Sequence, residues 1–167
     1  MQSKIVMRTH NSPLIFIVDN NLIYQKLIVQ YINIANFTEI LTFTNAVECL
    51  ACIDLHPDII ITDLHYGEDR VNGIDLLMKT KILSPKTKVI FLSSYNDMEA
   101  AVNSVRLGAV DFIVKSKVAL DKLIRRINQL VYYYREIEKV NSVSIKLAAT
   151  IAVILVVFIG LILLYNH

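Results

Sequence analysis

The sequence predicts a doubly wound α/β domain with a five-stranded parallel sheet, followed by a single C-terminal transmembrane helix. Three observations carry that expectation. Five short runs rich in Ile and Val recur between residues 14 and 114, stretches of helix length separate them, and Leu147 to Tyr165 is a run of nineteen residues without a charge. Parallel strands covered on both faces read as continuous apolar runs, and each parallel connection needs a crossover long enough to be a helix.

The first strand candidate is 14 to 18 (LIFIV), which stops abruptly on Asp19, Asn20 and Asn21. A carboxylate and amides after a strand read either as a helix start or as one wall of a charged site. A helix follows near 21 to 35. The second strand, 39 to 43 (EILTF), leads to a helix near 45 to 55. The third, 58 to 62 (DIIIT), ends at Asp63, and the loop after it runs ten residues to Gly73, where a helix over 73 to 83 begins. The fourth, 88 to 92 (KVIFL), ends at Ser93 and Ser94 before a helix near 97 to 107. The fifth, 110 to 114 (VDFIV), ends at Lys115, and a last helix starts near 118 with Leu120, Ile124, Ile127 and Val131 on one stripe.

The organisation read from this pattern is an N-terminal tail over 1–13, one domain over 14–131, a linker or stalk helix over 132–146 and a transmembrane helix over 147–165. Thirteen residues of the last run are Leu, Ile, Val or Phe. As a helix the run is roughly 28 Å long, against a hydrocarbon core of about 30 Å. Its insertion free energy sums to roughly −4 to −8 kcal/mol. The first thirteen residues, MQSKIVMRTHNSP, lack a long apolar core and a small-residue cleavage pattern, so no signal peptide is expected. Arg135, Lys139 and Lys146 precede the apolar run and nothing firmly positive follows it, which by the positive-inside rule keeps the globular part in the cytoplasm. No effector domain is expected after the first domain. The stretch YYYREIEKVNSVSIK, 132–146, lacks proline and glycine and reads as a continuation of the last helix, with its tyrosines suited to packing or a homodimer contact.

Formal net charge is only +2, and no basic stripe interleaved with aromatics appears, which argues against nucleic acid as the main partner. Cys49 and Cys52 form a C-x-x-C with His56 four residues on, so all three could share one helical face. Zinc would need a fourth ligand, which the sequence does not offer nearby. The cysteines read better as small buried hydrophobes in a reducing compartment.

In doubly wound folds ligands sit beyond the carboxyl ends of the strands, where strand order reverses. Strand one ends in Asp19 and Asn20, strand three in Asp63, strand four in Ser93 and Ser94, and strand five in Lys115. Singly, each has an ordinary structural role as a cap, a turn residue or a solvated charge. Together, at the same end of their own strands, they fit an aspartate that accepts a phosphoryl group with help from a divalent cation.

The stretches FIVDNN, PDIIITDLHYGEDRVNGIDLL, KVIFLSSYND and GAVDFIVKS resemble, in order and spacing, the receiver domain of two-component response regulators, with its flavodoxin-like, CheY-like fold. The resemblance covers about residues 14–131. It implies that Asp63 is the phosphoacceptor, that Asp19 and Asn20 are the acidic pair binding Mg2+ together with Asp63 and the main-chain carbonyl of His65, and that Ser93 contacts the phosphoryl group. Lys115 matches the family's conserved lysine, and Phe112 the aromatic switch three residues before it. The implied partner is a sensor histidine kinase or a histidine phosphotransfer protein, with an output partner that the sequence does not name. The loop after Asp63 is about two residues longer than the commonest form and lacks its usual proline. Ser116 replaces the proline that follows the lysine, and a cis bond before serine costs about 2.5 to 4 kcal/mol, so Lys115 would approach from a shifted backbone. Asn20 stands where a second carboxylate is commoner, which implies a weakened metal site.

Two function classes follow. The first is a phosphorylatable receiver that signals by protein contact at the cytoplasmic face of a membrane. The second is a phosphorylation-independent pseudo-receiver, a membrane-tethered docking module. An enzyme is not expected, because aspartate-nucleophile phosphatases need a second aspartate two residues after the first, and that position is His65.

Overall fold

The computed structural model describes residues 12–66, 71–94 and 97–165, with the side chains at 134, 135, 137, 138, 141 and 156–165 outside the description. Strands β1 (Ile15–Val18), β2 (Ile40–Phe43), β3 (Ile59–Thr62), β4 (Lys88–Ser93) and β5 (Asp111–Val114) alternate with helices α1 (Leu22–Ile34), α2 (Ala46–Ala51), α3 (Gly73–Leu83), α4 (Met98–Arg106) and α5 (Ala119–Tyr165). All strand pairs are parallel, and the sheet order is β2-β1-β3-β4-β5. Strand order therefore reverses between β1 and β3.

The two central strands, β1 and β3, are buried along their whole length, whereas β2 and β5 at the edges are only partly covered. Side chains alternate across the sheet, so one residue set serves each face. Phe16, Val18, Ile60, Val89 and Phe91 join Cys49 of α2 and Leu76 and Leu77 of α3 in one core cluster. The complementary buried set includes Ile15, Ile17, Ile59, Ile61 and Ile90, with Ile28 and Ile32 from α1 and Leu120, Leu123 and Ile127 from α5. Two buried faces on one parallel sheet are what the continuous apolar strands require.

Three expectations change. The second helix does not run to residue 55: α2 ends at Ala51, a 3-10 turn covers Ile53–Leu55, and His56 stops it with a left-handed φ of 49°. Cys49, Cys52 and His56 therefore share no helical face. Cys49 is buried and Cys52 partly so, both are free thiols, and burial pushes the Cys49 thiol up to about 12. Among the described residues no group of three or more metal-type side chains assembles there or elsewhere. The stretch 132–146 does continue the last helix, since α5 extends without a break from Ala119 to Tyr165. The transmembrane reading of 147–165 gains no support among the described residues, where no helix is long and apolar enough to cross a membrane. Only Leu147–Leu155 of that run are described with side chains, and nine residues rise about 14 Å, less than half of a bilayer core. The chain divides into two compact units at Ile127 and Asn128.

Candidate functional site

Asp19, Asp63 and Lys115 each lie one residue beyond their strand, and the neighbouring strand still holds each backbone. The N–H of Asp19 donates to Phe43 O at 3.1 Å, that of Asp63 to Val18 O at 3.0 Å and that of Lys115 to Ser93 O at 2.8 Å. The ladder thus carries all three side chains to one edge, at the point where strand order reverses. Gln25, buried on α1, donates its amide to Phe43 O at 2.9 Å and to Asp19 O at 3.4 Å, tying the end of β1 to α1.

The helix cap is not Asp19. Asn21 caps α1, accepting the N–H groups of Ile23 and Tyr24 at 3.1 and 3.0 Å. Asp19, 2% exposed, uses Oδ1 to accept the N–H of Asn21 at 2.8 Å and leaves Oδ2 to the site. Asp63, 7% exposed, likewise accepts its neighbour Leu64 N–H through Oδ1 at 2.6 Å. The ammonium of Lys115 bridges the two remaining oxygens, 2.7 Å from Asp19 Oδ2 and 2.6 Å from Asp63 Oδ2. It also lies 4.5 Å from the centre of the Tyr24 ring, a cation–π contact. Burial opposes the charge on Lys115, but the hydrogen bonds it donates to Asp19 and Asp63, with their charges, outweigh it and hold its pKa above the ordinary lysine value. No cis peptide occurs among the described residues, and Lys115 reaches both carboxylates with Ser116 in place of proline.

Of the expected residues, Asp19, Asn20, Asp63, His65 and Lys115 line one open pocket, which Asn21 and Ser94 complete. Ser93 and Phe112 do not line it. Ser93 is fully buried at the end of β4, and Phe112 is half-buried with its ring stacked on Phe91 at 5.8 Å between centroids. Gln25 was legible as a polar residue on the buried i, i+3, i+7 stripe of Ile28 and Ile32, whereas nothing in the local sequence marks Tyr24.

The segment after Asp63 starts under firm control. The hydroxyls of Thr62 and Tyr66 are hydrogen-bonded in the core, and burial pushes the Tyr66 phenol well above its usual range. Residues 67–70, where the longer loop departs from the family's commonest form, lie outside the described residues. At its far end Gly73 donates its N–H to Leu64 O at 2.9 Å, and a Cβ on Gly73 would stand 2.3 Å from Asp63 O and 2.8 Å from the Phe91 ring. Gly73→Ala is therefore expected to lower stability by about 1–2 kcal/mol, overpacking outweighing the helix propensity gained. Thermal melts check this, and a Tm equal to that of the wild type would show that the loop yields freely.

The donor chemistry suits a hard cation: two carboxylates with amide and main-chain oxygens at the rim, the kind of set that binds Mg2+ through one or two carboxylates and retained waters.

A 2-1-3-4-5 parallel sheet with two aspartates and a lysine meeting at its reversal point defines the class of CheY-like α/β domains. The family model for the response regulator receiver domain matches residues 15–128, and the chain belongs to that family. Receiver domains interact with histidine kinases or phosphotransfer proteins and bind Mg2+ at their acidic phosphorylation site. The chain is 30% identical over 115 residues to the C4-dicarboxylate transport transcriptional regulatory protein DctD of Rhizobium meliloti, covering 68% of this chain and 24% of that protein. It is 30% identical over 91 residues to the regulatory protein AtoC of Escherichia coli, covering 53% of this chain and 19% of that one. Each match thus spans less than a third of the relative's length. Among solved structures, the receiver domain of NtrX from Brucella abortus superposes with a TM-score of 0.64 at 28% identity, covering 71% of this chain and 98% of that one. A response regulator from Thermotoga maritima gives 0.63 at 27% identity, covering 72% and 98%.

Proposed function

We propose that this chain is the phosphoacceptor of a two-component phosphorelay, modified on Asp63 by a histidine kinase or a phosphotransfer protein, and that it signals by protein contact instead of catalysing a reaction of its own. The observation that supports this most is the single ammonium shared by Asp19 and Asp63. Asp63 Oδ2 is the nucleophile: its lone pair forms the new P–O bond while the P–N bond of a phosphohistidine breaks, and the imidazole leaves with the electron pair and takes up a proton. Lys115 stays beside the acceptor and balances the charge brought in by the phosphoryl group. Asp19, Asp63, Asn20 and the His65 carbonyl would hold Mg2+, which supplies screening between carboxylate and phosphoryl oxygens. Once the acyl phosphate forms, Ser93 would turn its hydroxyl towards it and Phe112 would move into the space vacated, reshaping the face of α4 and β5.

Incubation with a small phosphodonor and Mg2+ is expected to add one phosphoryl group, seen as a mass increment, that is absent in Asp63→Asn. Equal labelling of wild type and variant would move the acceptor elsewhere. A pseudo-receiver is the second reading, favoured by the uncharged Asn20 beside Asp19. It predicts no acyl phosphate on the wild type while contact with the output partner persists.

The nineteen uncharged residues from Leu147, helical in backbone throughout, support a further part of the reading: a membrane anchor holding the receiver at the cytoplasmic face. Deletion of 147–167 is expected to shift the protein from the membrane to the soluble fraction. Recovery of the full chain without detergent in the soluble fraction would remove the anchor from the proposal.

A further inference from the structure

We propose that Tyr24 is a positioning residue of the site: its ring holds the Lys115 ammonium across Asp19 and Asp63, and so sets how much Mg2+ is needed to take those carboxylates from the lysine. The proposal deepens the phosphoacceptor reading and rests on it for the identity of the cation.

Lys115 needs a second hold because its own backbone supplies little. One ladder bond fixes its main chain, N–H to Ser93 O at 2.8 Å, and Ser116 follows it where a proline would have locked φ. Beyond that bond a flexible four-carbon stem carries the ammonium. Of its three N–H donors, two go to Asp19 Oδ2 and Asp63 Oδ2 at 2.7 and 2.6 Å. The centre of the Tyr24 ring lies 4.5 Å from Nζ, within reach of the attraction between a cation and the negative face of an aromatic ring. The lysine side chain is only 12% exposed, so water screens that attraction weakly.

The ring is the fixed partner and the lysine the mobile one. Tyr24 sits in the first turn of α1, where Asn21 Oδ1 accepts its N–H at 3.0 Å. Its neighbour Gln25 is buried and donates to Phe43 O and Asp19 O, which ties that turn to the ends of β1 and β2. The Tyr24 hydroxyl oxygen is buried with no hydrogen-bond partner among the described residues. An unpaired buried hydroxyl is a cost to the fold, so what Tyr24 offers the site is its ring. Mg2+ binds through carboxylate oxygens. The Oδ1 atoms of Asp19 and Asp63 already accept the N–H groups of Asn21 and Leu64, and Lys115 holds both Oδ2 atoms. Whatever steadies the ammonium there raises the Mg2+ concentration that displaces it.

Calorimetric titration of the full-length chain with Mg2+, without a phosphodonor, tests this in wild type, Tyr24→Phe and Tyr24→Leu. The phenylalanine keeps the ring and is expected to bind within twofold of wild type. The leucine removes it and is expected to bind Mg2+ about three- to fivefold tighter. The same Tyr24→Leu change made together with Lys115→Met is expected to leave the affinity of Lys115→Met unchanged, because no ammonium remains to be held; a merely structural ring would act with or without it. Should Lys115→Met not fold, the comparison of phenylalanine with leucine decides alone. A leucine variant that binds no tighter than wild type, equal shifts in both variants, an undiminished shift without the lysine, or no Mg2+ bound by any of the proteins would overturn the proposal. Loss of the phosphoacceptor reading looks different: no acyl phosphate forms on wild-type Asp63 while the Mg2+ series still runs as expected.

Discussion

Lys115→Met is expected to destabilise the receiver domain by about 3 kcal/mol at pH 8, because it leaves two buried carboxylates facing each other without their shared cation. The deficit relative to wild type should then shrink as the pH rises above about 10.5. The sign follows from the direction of the lysine's shift: its pKa is raised above 10.5 in the fold, while in the unfolded chain it titrates near that value. Below pH 10.5 both states hold the proton and the bridge contributes fully. Above it the unfolded chain sheds the proton first, and the contribution is lost as pH passes the folded pKa. Thermal melts of both proteins from pH 8 to 11.5 give the two curves. Curves a constant distance apart would mean that Lys115 contributes packing alone, through its stem and the Tyr24 ring.

The strands were readable from the sequence because each is a local pattern, four to six mostly apolar residues closed by a turn residue, and the observed bounds differ from the expected ones by no more than a residue or so. The identity of the site was readable for a different reason: in a parallel sheet every strand ends at the same edge, so residues 19, 63 and 115 had to meet if the topology held. What could not be read was the pairing itself. The Lys115 to Asp19 bond spans 96 residues, and no local rule says that one ammonium will serve two carboxylates. Nor does spacing show that Asn21, not Asp19, takes the cap, since both types cap equally well. The second helix was over-read because an apolar-to-polar pattern does not show where a helix tightens into a 3-10 turn, as the backbone does at Ile53–Leu55. Tyr24 was invisible because its partner is 91 positions away.

Asp19→Asn is expected to abolish Mg2+ binding while leaving the fold intact, and Asn20→Asp to tighten it. The two neighbours differ in what the fold asks of them. Asp19 is buried, its Oδ1 occupied by the Asn21 N–H and its Oδ2 by Lys115. An asparagine there can keep the Oδ1 bond, so the turn into α1 survives, but it turns an amide N–H2 towards the ammonium and offers a cation no charge. Asn20 is exposed at the rim of the same pocket and carries no structural bond among those described at the site, so a carboxylate there adds charge without disturbing packing. A full charge at such a rim, in a dielectric between water and protein surface, contributes on the order of 1.4 kcal/mol, or about tenfold in affinity. Lys115 works against both, because its ammonium holds the oxygens that a cation needs. The natural Asn20 therefore leaves metal and lysine closer to balance, and it lowers the repulsion met by an incoming phosphoryl group. Titration of the three proteins with Mg2+, followed by calorimetry or NMR, decides the matter. If Asp19→Asn binds as tightly as wild type, Asp19 serves only to hold Asn21 and Lys115, and the phosphorylation-independent docking module becomes the better account.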